Sequence, residues 1–330
     1  MSKGSEGPVP VLVMGLGAIG RSLVRAAMES AEVELVGAVD PRYDRRGLGE
    51  LVGRPALKQQ VHGSLRAALG NRRGVVVLQA THSRLPEVLG SIEEAVRAGC
   101  HVVSTCEELT FPWLRHPKEA ERLDRAAADA GVVVLGMGVN PGFLMDRLVA
   151  TVGQTVGRVT RVVVERHVDV RTRREGLIRR VGLGLSEDAF FEHLEADRIG
   201  LPGMVEAAAL CGLGLGLDCD DFEEEHAPVI AQELLEGAPT VEAGQVAGMS
   251  QTVIASEDGV ERVRLEVMMA AGIDAPGDLI QIEADTTVRL RIEGGLQGDL
   301  ATAHMLVHAA PRVTAAEPGI LTVLELPAGR

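Results

Sequence analysis

The sequence predicts an α/β protein, in which a doubly wound parallel sheet is followed by a second, α+β domain. Three observations support this prediction. Short apolar runs alternate with helical patterns from residue 9 to residue 137. Beyond residue 150 the strand-like runs alternate apolar with polar residues, as half-exposed strands do. Residues 298–312 return to a helical pattern, which we expect to pack back on the first domain.

The first domain is predicted to contain five strands, all rich in β-branched residues and typical of strands buried on both faces. They are residues 9–14, 33–39, 74–80, 101–105 and 132–137. The helices predicted between them are residues 18–30, 64–70, 85–98 and 117–130. Because a crossover between parallel strands is nearly always right-handed, this alternation predicts a doubly wound sheet.

The second domain is predicted to be α+β, with a largely antiparallel sheet that has one exposed face. Its strands are predicted at 158–170, 259–270 and 279–293, and its helices at 186–197 and 201–214. The segment FEEEH at 222–226 is expected to be a solvated helix or loop. We place the boundary at residue 143, so that the domains are 1–143 and 144–297, with a C-terminal helical segment 298–330 returning to the first.

The composition excludes several classes of protein. A formal net charge of −14 and few aromatic residues (five Phe, one Trp and one Tyr) argue against nucleic-acid binding, which needs a basic footprint or a stacking surface. No apolar run reaches the ~18 residues of a membrane helix, and the N-terminus resembles no signal peptide. Because the four cysteines include no CxxC pair, we expect reduced thiols and a cytoplasmic protein.

Residues 15–20 read Gly-Leu-Gly-Ala-Ile-Gly and match the G-x-G-x-x-G pattern. A predicted strand precedes the motif, a helix follows it, and Asp40 closes the second strand. In this setting the pattern is typical of a Rossmann domain that binds a dinucleotide at the helix N-terminus. Asp40 favours NAD, because it can accept hydrogen bonds from ribose hydroxyls, whereas Arg42, Arg45 and Arg46 offer partners for the 2′-phosphate of NADP. We therefore expect a site that takes NAD or NADP.

Three strand ends are expected to meet at the nicotinamide, because ligands of open α/β sheets bind at the carboxyl ends of strands. They are residues 81–83, 106–108 and 140–143. The residues predicted to contact the cofactor are Gly15, Gly17, Ala18, Ile19, Gly20, Asp40, Arg42, Ala80, Thr81, His82, Cys106, Asn140 and Pro141. The sequence contains no HExxH motif or other zinc-ligand spacing, so no metal is expected.

Four segments of the sequence resemble one family. STCEELTFPW at 104–113, NPGFLMD at 140–146, RTRREGLIRRVGLGLS at 171–186 and GGLQGDLATAHMLVHAAPRV at 294–313 are similar to the 2,4-diaminopentanoate dehydrogenase and native amine dehydrogenase group of the dihydrodipicolinate-reductase-like superfamily. The resemblance implies NAD(P)-dependent oxidative deamination of a small or medium amine, and the reverse reductive amination of a ketone or aldehyde with ammonia. It also implies homodimers that pair through the sheet of the second domain.

Glu107 and Glu108 are the candidate acid–base residues for this reaction, because a carboxylate at a strand end can move a proton and stabilise an iminium cation. Adjacent residues that leave a strand point to opposite sides. By its place after the turn cysteine, as in related oxidoreductases, Glu108 is expected to face the nicotinamide, with Glu107 supporting the turn. The residues expected to form an apolar substrate site are Phe111, Trp113, Phe143 and Ile178.

Two other functions stay open on the sequence. An imine or carbonyl reductase of the dihydrodipicolinate reductase type would turn over without ammonia. A dinucleotide-binding sensor would bind the cofactor without any turnover. Cys106 likewise has a second interpretation as a thiolate nucleophile, although no histidine base is positioned by the sequence, and a small buried hydrophobic residue is the alternative.

Overall fold

The structure is a computed structural model, and it describes residues 7–237 and 239–327. Within these residues the strands are β1 Val9–Met14, β2 Val33–Val39, β3 Val61–His62, β4 Val76–Gln79, β5 His101–Ser104, β6 Val133–Gly136, β7 Arg161–Asp169, β8 Asp221–Ile230, β9 Val246–Glu257, β10 Val260–Ala270, β11 Gly277–Glu283, β12 Thr287–Glu293 and β13 Gly319–Leu321. The helices are α1 Ala18–Glu29, α2 Leu48–Val52, α3 Leu65–Leu69, α4 Leu85–Arg97, α5 Pro117–Ala130, α6 Arg147–Gly153, α7 Glu175–Arg180, α8 Glu187–Glu195, α9 Met204–Leu215 and α10 Gly298–Val313. The chain divides into two compact units, Met1–Phe143 with Gln297–Arg330, and Leu144–Leu296.

The first unit is built on a seven-stranded parallel sheet in the order β13-β6-β5-β4-β1-β2-β3. β1 lies between β2 and β4, and its residues Val11, Leu12 and Val13 are fully buried because helices cover both faces. Helix α1 packs against α10, and α4 packs against α5. The predicted doubly wound sheet is confirmed, and the strand order reverses beside β1, where such folds bind their ligands.

The second unit contains a six-stranded sheet in the order β12-β11-β7-β10-β9-β8. Neighbouring strands run antiparallel except β7 and β10, which are parallel. Side chains of β7 alternate between buried and half-exposed, as a sheet with one covered face requires. Helix α9 packs on β9 and β10, and most of its residues are buried as a result. The predicted second sheet, largely antiparallel, is confirmed.

Three of the predicted elements are wrong. Residues 222–226 lie in β8, an edge strand whose glutamates are exposed, and not in a helix or loop. The single strand predicted at 279–293 is the hairpin of β11 and β12, because its alternation continues across the turn at residues 284–286. The helical segment predicted at 298–330 ends at Val313, and Gly319–Leu321 then joins the parallel sheet as β13.

Candidate active site

The turn between β1 and α1 places its three motif glycines in different surroundings. Gly15 has a φ of +88°, and a Cβ there would lie 2.4 Å from the carbonyl oxygen of Ala80. A Cβ on Gly20 would lie 1.8 Å from the carbonyl oxygen of Gly15, whereas one on Gly17 would meet nothing within 4 Å. The chain's own packing therefore requires Gly15 and Gly20. Gly17 leaves open space at the start of α1, where first-turn N–H groups have no intrahelical acceptor and a pyrophosphate fits.

Asp40, at the end of β2, accepts hydrogen bonds from the glycine turn and from Arg42. Its Oδ2 accepts the Leu16 N–H at 2.9 Å and Arg42 Nη2 at 2.7 Å, and its Oδ1 accepts the Arg42 N–H and Nε, each at 3.0 Å. Burial acts to raise the pKa of Asp40, but these hydrogen bonds outweigh it and hold the pKa below its ordinary value. Asp40 is therefore ionised and ties β2 to the turn.

A cavity of about 650 Å³ opens beside this turn, a volume within the range of small-molecule sites. It brings together seven of the predicted cofactor residues: Gly15, Gly17, Asp40, Arg42, Ala80, Thr81 and His82. Ala18 and Ile19 form the first turn of α1 instead, and Gly20 packs against Gly15. The described lining does not include Cys106, Asn140 or Pro141. The glycine cradle, the carboxylate and the volume fit the phosphate and adenosine end of a dinucleotide.

Glu108 is a buried carboxylate beside the N-terminus of α4, with 3% of its surface exposed. Its Oε1 accepts from Arg84 Nη1 at 3.1 Å, while Oε2 accepts the Leu85 N–H at 2.8 Å and lies 2.9 Å from His116 Nε2. That Glu108 faces the nicotinamide stays a prediction. Glu107–Thr110 is a 3₁₀ turn, so the two-sided alternation of a strand, from which the two glutamates were expected to point to opposite sides, does not apply here.

The two neighbours of Glu108 in the turn differ in exposure. Glu107 is half-buried, and its carbonyl oxygen accepts from Thr110 Oγ1 at 2.7 Å. Cys106 is fully buried, and its thiol donates to the carbonyl oxygen of Ser83 at 3.1 Å. Burial, with nearby glutamates, raises the pKa of the Cys106 thiol far above its ordinary value. The structure favours the interpretation of Cys106 as a small buried residue and not as a nucleophile.

The turn after β6 is held by the returning helix. The Val139 N–H donates to Thr302 Oγ1 of α10 at 3.1 Å. Gly142 has a φ of +115°, and a Cβ there would lie 2.6 Å from the Gly138 nitrogen. Asn140 and Pro141 are joined by a cis peptide bond. The segment 138–142 is thus a tight turn at the same sheet edge as the ends of β4 and β5.

The four predicted substrate residues are divided between the two units. Phe111 and Trp113 form a tilted ring pair with centroids 5.7 Å apart, and Trp113 also packs against the core of the first unit. Phe143 is half-buried at the end of that unit. Ile178 is half-buried on α7 of the second unit. Their part in substrate binding therefore stays a prediction.

Sequence reasoning missed the partners that fix this edge of the sheet. Arg84 and His116 bond Glu108, but one precedes α4 and the other precedes α5, so no local spacing links them. A second connection runs through Gln79, which accepts from Ser104 Oγ at 2.8 Å and donates to Ser91 Oγ at 2.7 Å. The sequence did contain a signal for this second connection, because Gln79 is the polar last residue of β4, an otherwise apolar strand.

Comparison with known proteins identifies the family. A family model described as the 2,4-diaminopentanoate dehydrogenase C-terminal domain matches residues 143–330. The chain belongs to the 2,4-diaminopentanoate dehydrogenase family. The resemblance drawn from the four sequence segments is confirmed, and this family member is an oxidoreductase.

Individual relatives match this member of the dehydrogenase family over different lengths. The 2,4-diaminopentanoate dehydrogenase of Acetoanaerobium sticklandii is 24% identical over 340 residues, which cover 98% of this chain and 94% of that protein. The solved amine dehydrogenase from Mycobacterium smegmatis has a TM-score of 0.85 at 22% identity and covers 98% of both chains. A 4-hydroxy-tetrahydrodipicolinate reductase from Thermosynechococcus vestitus is 30% identical, but over 134 residues, 38% of this chain and 46% of that protein. The first two therefore match both units in full.

Three further features concern the part of the chain that the structure describes. None of its helices is both long and apolar enough to cross a membrane. No three His, Cys, Asp or Glu side chains in these ranges are grouped as metal ligands. All four cysteines are free, and burial with nearby carboxylates raises the pKa of Cys219 to about 11.

Proposed function

We propose that this chain is an NAD(P)-dependent amine dehydrogenase. It deaminates a small or medium amine oxidatively and, in reverse, aminates a ketone or aldehyde with ammonia. The observation that supports this most is the turn after β5, where half-buried Glu107 adjoins a Glu108 whose carboxylate is fixed by three donors. Similarity to 2,4-diaminopentanoate dehydrogenase over 98% of the chain supports the same activity.

The cofactor is held by the first unit. Gly15, Gly17 and the first turn of α1 would bind the pyrophosphate, and the end of β2 would lie beside the adenosine ribose. When bound, the nicotinamide accepts a hydride from the amine-bearing carbon, or returns it in the reductive direction. Ala80, Thr81 and His82 line the cavity beside this cradle, where they would contact the bound dinucleotide.

We assign the acid–base role to Glu107 and a positioning role to Glu108. Arg84, the Leu85 N–H and His116 hold the Glu108 carboxylate inside the fold, which suits a positioning role, whereas Glu107 is half-buried. Glu107 removes the proton from the substrate ammonium and passes it to solvent, so that its carboxylate is again charged when hydride loss forms the iminium cation, which it stabilises before water adds. Glu108 fixes the turn on which Glu107 stands.

A pair of isosteric variants separates these roles. Glu107→Gln is expected to lower kcat by about 10²- to 10⁴-fold, the usual size of general acid–base catalysis, with dinucleotide Kd and Tm unchanged. Glu108→Gln breaks a buried, charge-assisted contact and is expected to lower Tm, while turnover keeps its pH profile. If Glu108→Gln instead abolishes turnover with Tm intact and Glu107→Gln stays active, the acid–base role belongs to Glu108.

Ammonia dependence tests the activity itself. The purified chain is mixed with NADPH or NADH and a panel of aliphatic ketones and aldehydes, with and without ammonium, and absorbance is followed. We expect oxidation of the reduced cofactor that requires ammonium. Oxidation at equal rates without ammonium would indicate an imine or carbonyl reductase. Tight cofactor binding with no turnover on the whole panel would indicate a sensor.

The substrate site is proposed to be apolar and to include Phe111, Trp113, Phe143 and Ile178. Ile178 offers the cleanest test, because it is half-buried and Trp113 is also part of a core. Ile178→Ala is expected to lower kcat/KM for the best ketone roughly tenfold, the effect of losing apolar contact with a substrate, and to leave dinucleotide Kd unchanged. An unchanged kcat/KM would remove Ile178 from the site.

We propose further that two copies pair through the sheet of the second unit, in a cytoplasmic homodimer. The face of that sheet opposite α9 presents half-exposed apolar side chains, among them Val163, Met268 and Leu279, beside the ion pair of Arg161 and Glu261. Such a mixed face suits a subunit interface. Light scattering during gel filtration is expected to give twice the chain mass, and Met268→Glu is expected to shift it towards the monomer.

A further inference from the structure

The dinucleotide cavity has an unusual arrangement at its ribose end, where Asp40 is already saturated. Each carboxylate oxygen of Asp40 accepts two N–H groups from this chain, and the residue is 2% exposed. An aspartate that selects NAD must offer acceptors to the ribose hydroxyls. Here those acceptors are taken by Leu16 and Arg42, so ribose hydroxyls find little left to bond.

At this end of the cavity the charged side chain exposed to a ligand is that of Arg42, and not that of Asp40. Its side chain is 66% exposed, and its Nε and one Nη2 hydrogen are directed to Asp40. A guanidinium has five N–H donors in a rigid fork, so three of them remain on the side away from the carboxylate. Among the described residues that line the cavity, Arg42 is the one lysine or arginine, and Glu87 and Glu94 of α4 also line it.

The Tyr43 ring keeps this basic group in place. The guanidinium carbons of Arg21, Arg42 and Arg46 lie 5.6, 5.4 and 5.9 Å from its centroid, within the range of cation–π contacts. Arg21 also donates to the Tyr43 hydroxyl at 3.2 Å and to the Leu16 carbonyl at 3.1 Å, which ties the cluster to the glycine turn. These contacts fix the Arg42 guanidinium, and a preorganised fork binds an anion without losing much rotamer freedom.

The remaining charges near the cluster have their own partners. Arg46 pairs with Glu50 at 2.9 Å, and Arg45 lies 3.6 Å from Asp44, whose Oδ1 also accepts the Gly63 N–H. Arg45 is 90% exposed in its side chain and is not among the described lining residues. The charge offered to a ligand at this end of the cavity is therefore that of Arg42, with Arg21 beside it on the Tyr43 ring.

From this arrangement we infer that the cavity selects NADP(H) over NAD(H), and that Arg42 is the residue that recognises the 2′-phosphate. Asp40 acts as the support that orients the Arg42 fork. This inference sharpens the expectation of a site that takes either form, and it rests on the dinucleotide site of the proposed function. A phosphate monoester accepts the bidentate fork, whereas a ribose hydroxyl gains one ordinary hydrogen bond from it.

Calorimetric binding of two adenosine probes tests the inference without any amine chemistry. For the full wild-type chain, 2′,5′-ADP is expected to bind at least tenfold more tightly than 5′-AMP, about the effect of one charge-assisted hydrogen bond. Arg42→Ala is expected to abolish this ratio or invert it, because Asp40 then becomes available to the ribose. Arg45→Ala removes the same charge three residues away and is the matched control, with the ratio expected to stay as in wild type.

Each outcome of this experiment decides the point. Equal or tighter binding of 5′-AMP by the wild type, or an unchanged ratio in Arg42→Ala, would overturn the inference. If Arg42→Ala fails to fold, Arg42→Lys keeps the charge without the fork and is expected to give a ratio below that of wild type. A wild type that binds neither probe nor either dinucleotide would instead count against the proposed function itself.

Discussion

Replacing Gly20 by alanine probes the packing of the glycine turn against α1. The added Cβ would lie 1.8 Å from the carbonyl oxygen and 2.8 Å from the carbonyl carbon of Gly15, whereas ordinary van der Waals contact begins at 3.4 Å. Both contacted atoms belong to the main chain, so no flexible side chain can move aside. The turn and the first residues of α1 must separate, which also breaks the cradle for the pyrophosphate.

The size of the effect follows from that overlap. Overpacking a well-packed site costs about 1–3 kcal/mol, and a clash with main chain belongs at the upper end, ~3 kcal/mol. In a unit of this size each 1 kcal/mol lowers Tm by about 2–4 °C, so Gly20→Ala is expected to lower Tm by roughly 6–12 °C. Thermal unfolding followed by circular dichroism measures the shift.

Gly17→Ala is the matched control, with the same substitution three residues away. A Cβ on Gly17 meets nothing within 4 Å, and its φ of −69° suits alanine. We expect its Tm to stay within about 2 °C of wild type, while NADP⁺ binding weakens at least about tenfold because the methyl group occupies the open space. A Gly20→Ala protein that melts like wild type would refute the packing argument, and a Gly17→Ala protein that binds like wild type would refute the site.

Three further predictions concern other contacts. Asp124 Oδ1 accepts the Ile320 N–H at 2.7 Å, which ties β13 to α5. Asp124→Ala is therefore expected to release β13 and to lower the free energy of unfolding, measured in urea, by ~1.5 kcal/mol. An unchanged urea midpoint would show that β13 is held by other contacts. Because burial raises the pKa of Cys106 far above its ordinary value, we expect iodoacetamide at pH 8 to label this residue only after unfolding, as read by mass spectrometry. The pKa of Asp40 is lowered from 3.8, so its stabilising effect is fully present above that pH and is lost as the pH falls through the lower, folded value. The stability difference between wild type and Asp40→Asn in urea is therefore expected to be constant from pH 5 to pH 8 and to shrink below pH 3.8, and a difference that grew on acidification would contradict the assignment.

Most of the fold could be predicted from the sequence because buried parallel strands are short, continuous apolar runs between helical patterns. The strands at the edges of the two sheets could not be predicted in this way. β8 has exposed glutamates and pairs with β9 on one side, so its composition resembles that of a loop. β13 has three residues, fewer than any pattern needs. The turn between β11 and β12 preserves the alternation of both strands, which hides it.

The part of the site that consists of residues at fixed sequence spacing could be predicted, and the part that depends on residues distant in sequence could not. Gly15, Gly17, Gly20 and Asp40 form a pattern with fixed spacing, and the structure brings them to one turn. The surroundings of Glu108 depend on groups that precede two different helices, and only folding brings these together. The expectation that Glu107 and Glu108 point to opposite sides used strand geometry, but the chain had already entered a 3₁₀ turn.

The position of β13 also has a consequence for synthesis of the chain on the ribosome. The Rossmann sheet begins with β1 near the N-terminus, yet its last strand and the helix that covers α1 come after the whole of the second unit. At about 5–20 residues per second, the nascent first unit waits roughly 8–30 s for these segments. During that time the apolar face of α1 that α10 later covers is open to chaperones, while the second unit, which is continuous in sequence, can complete its own sheet first.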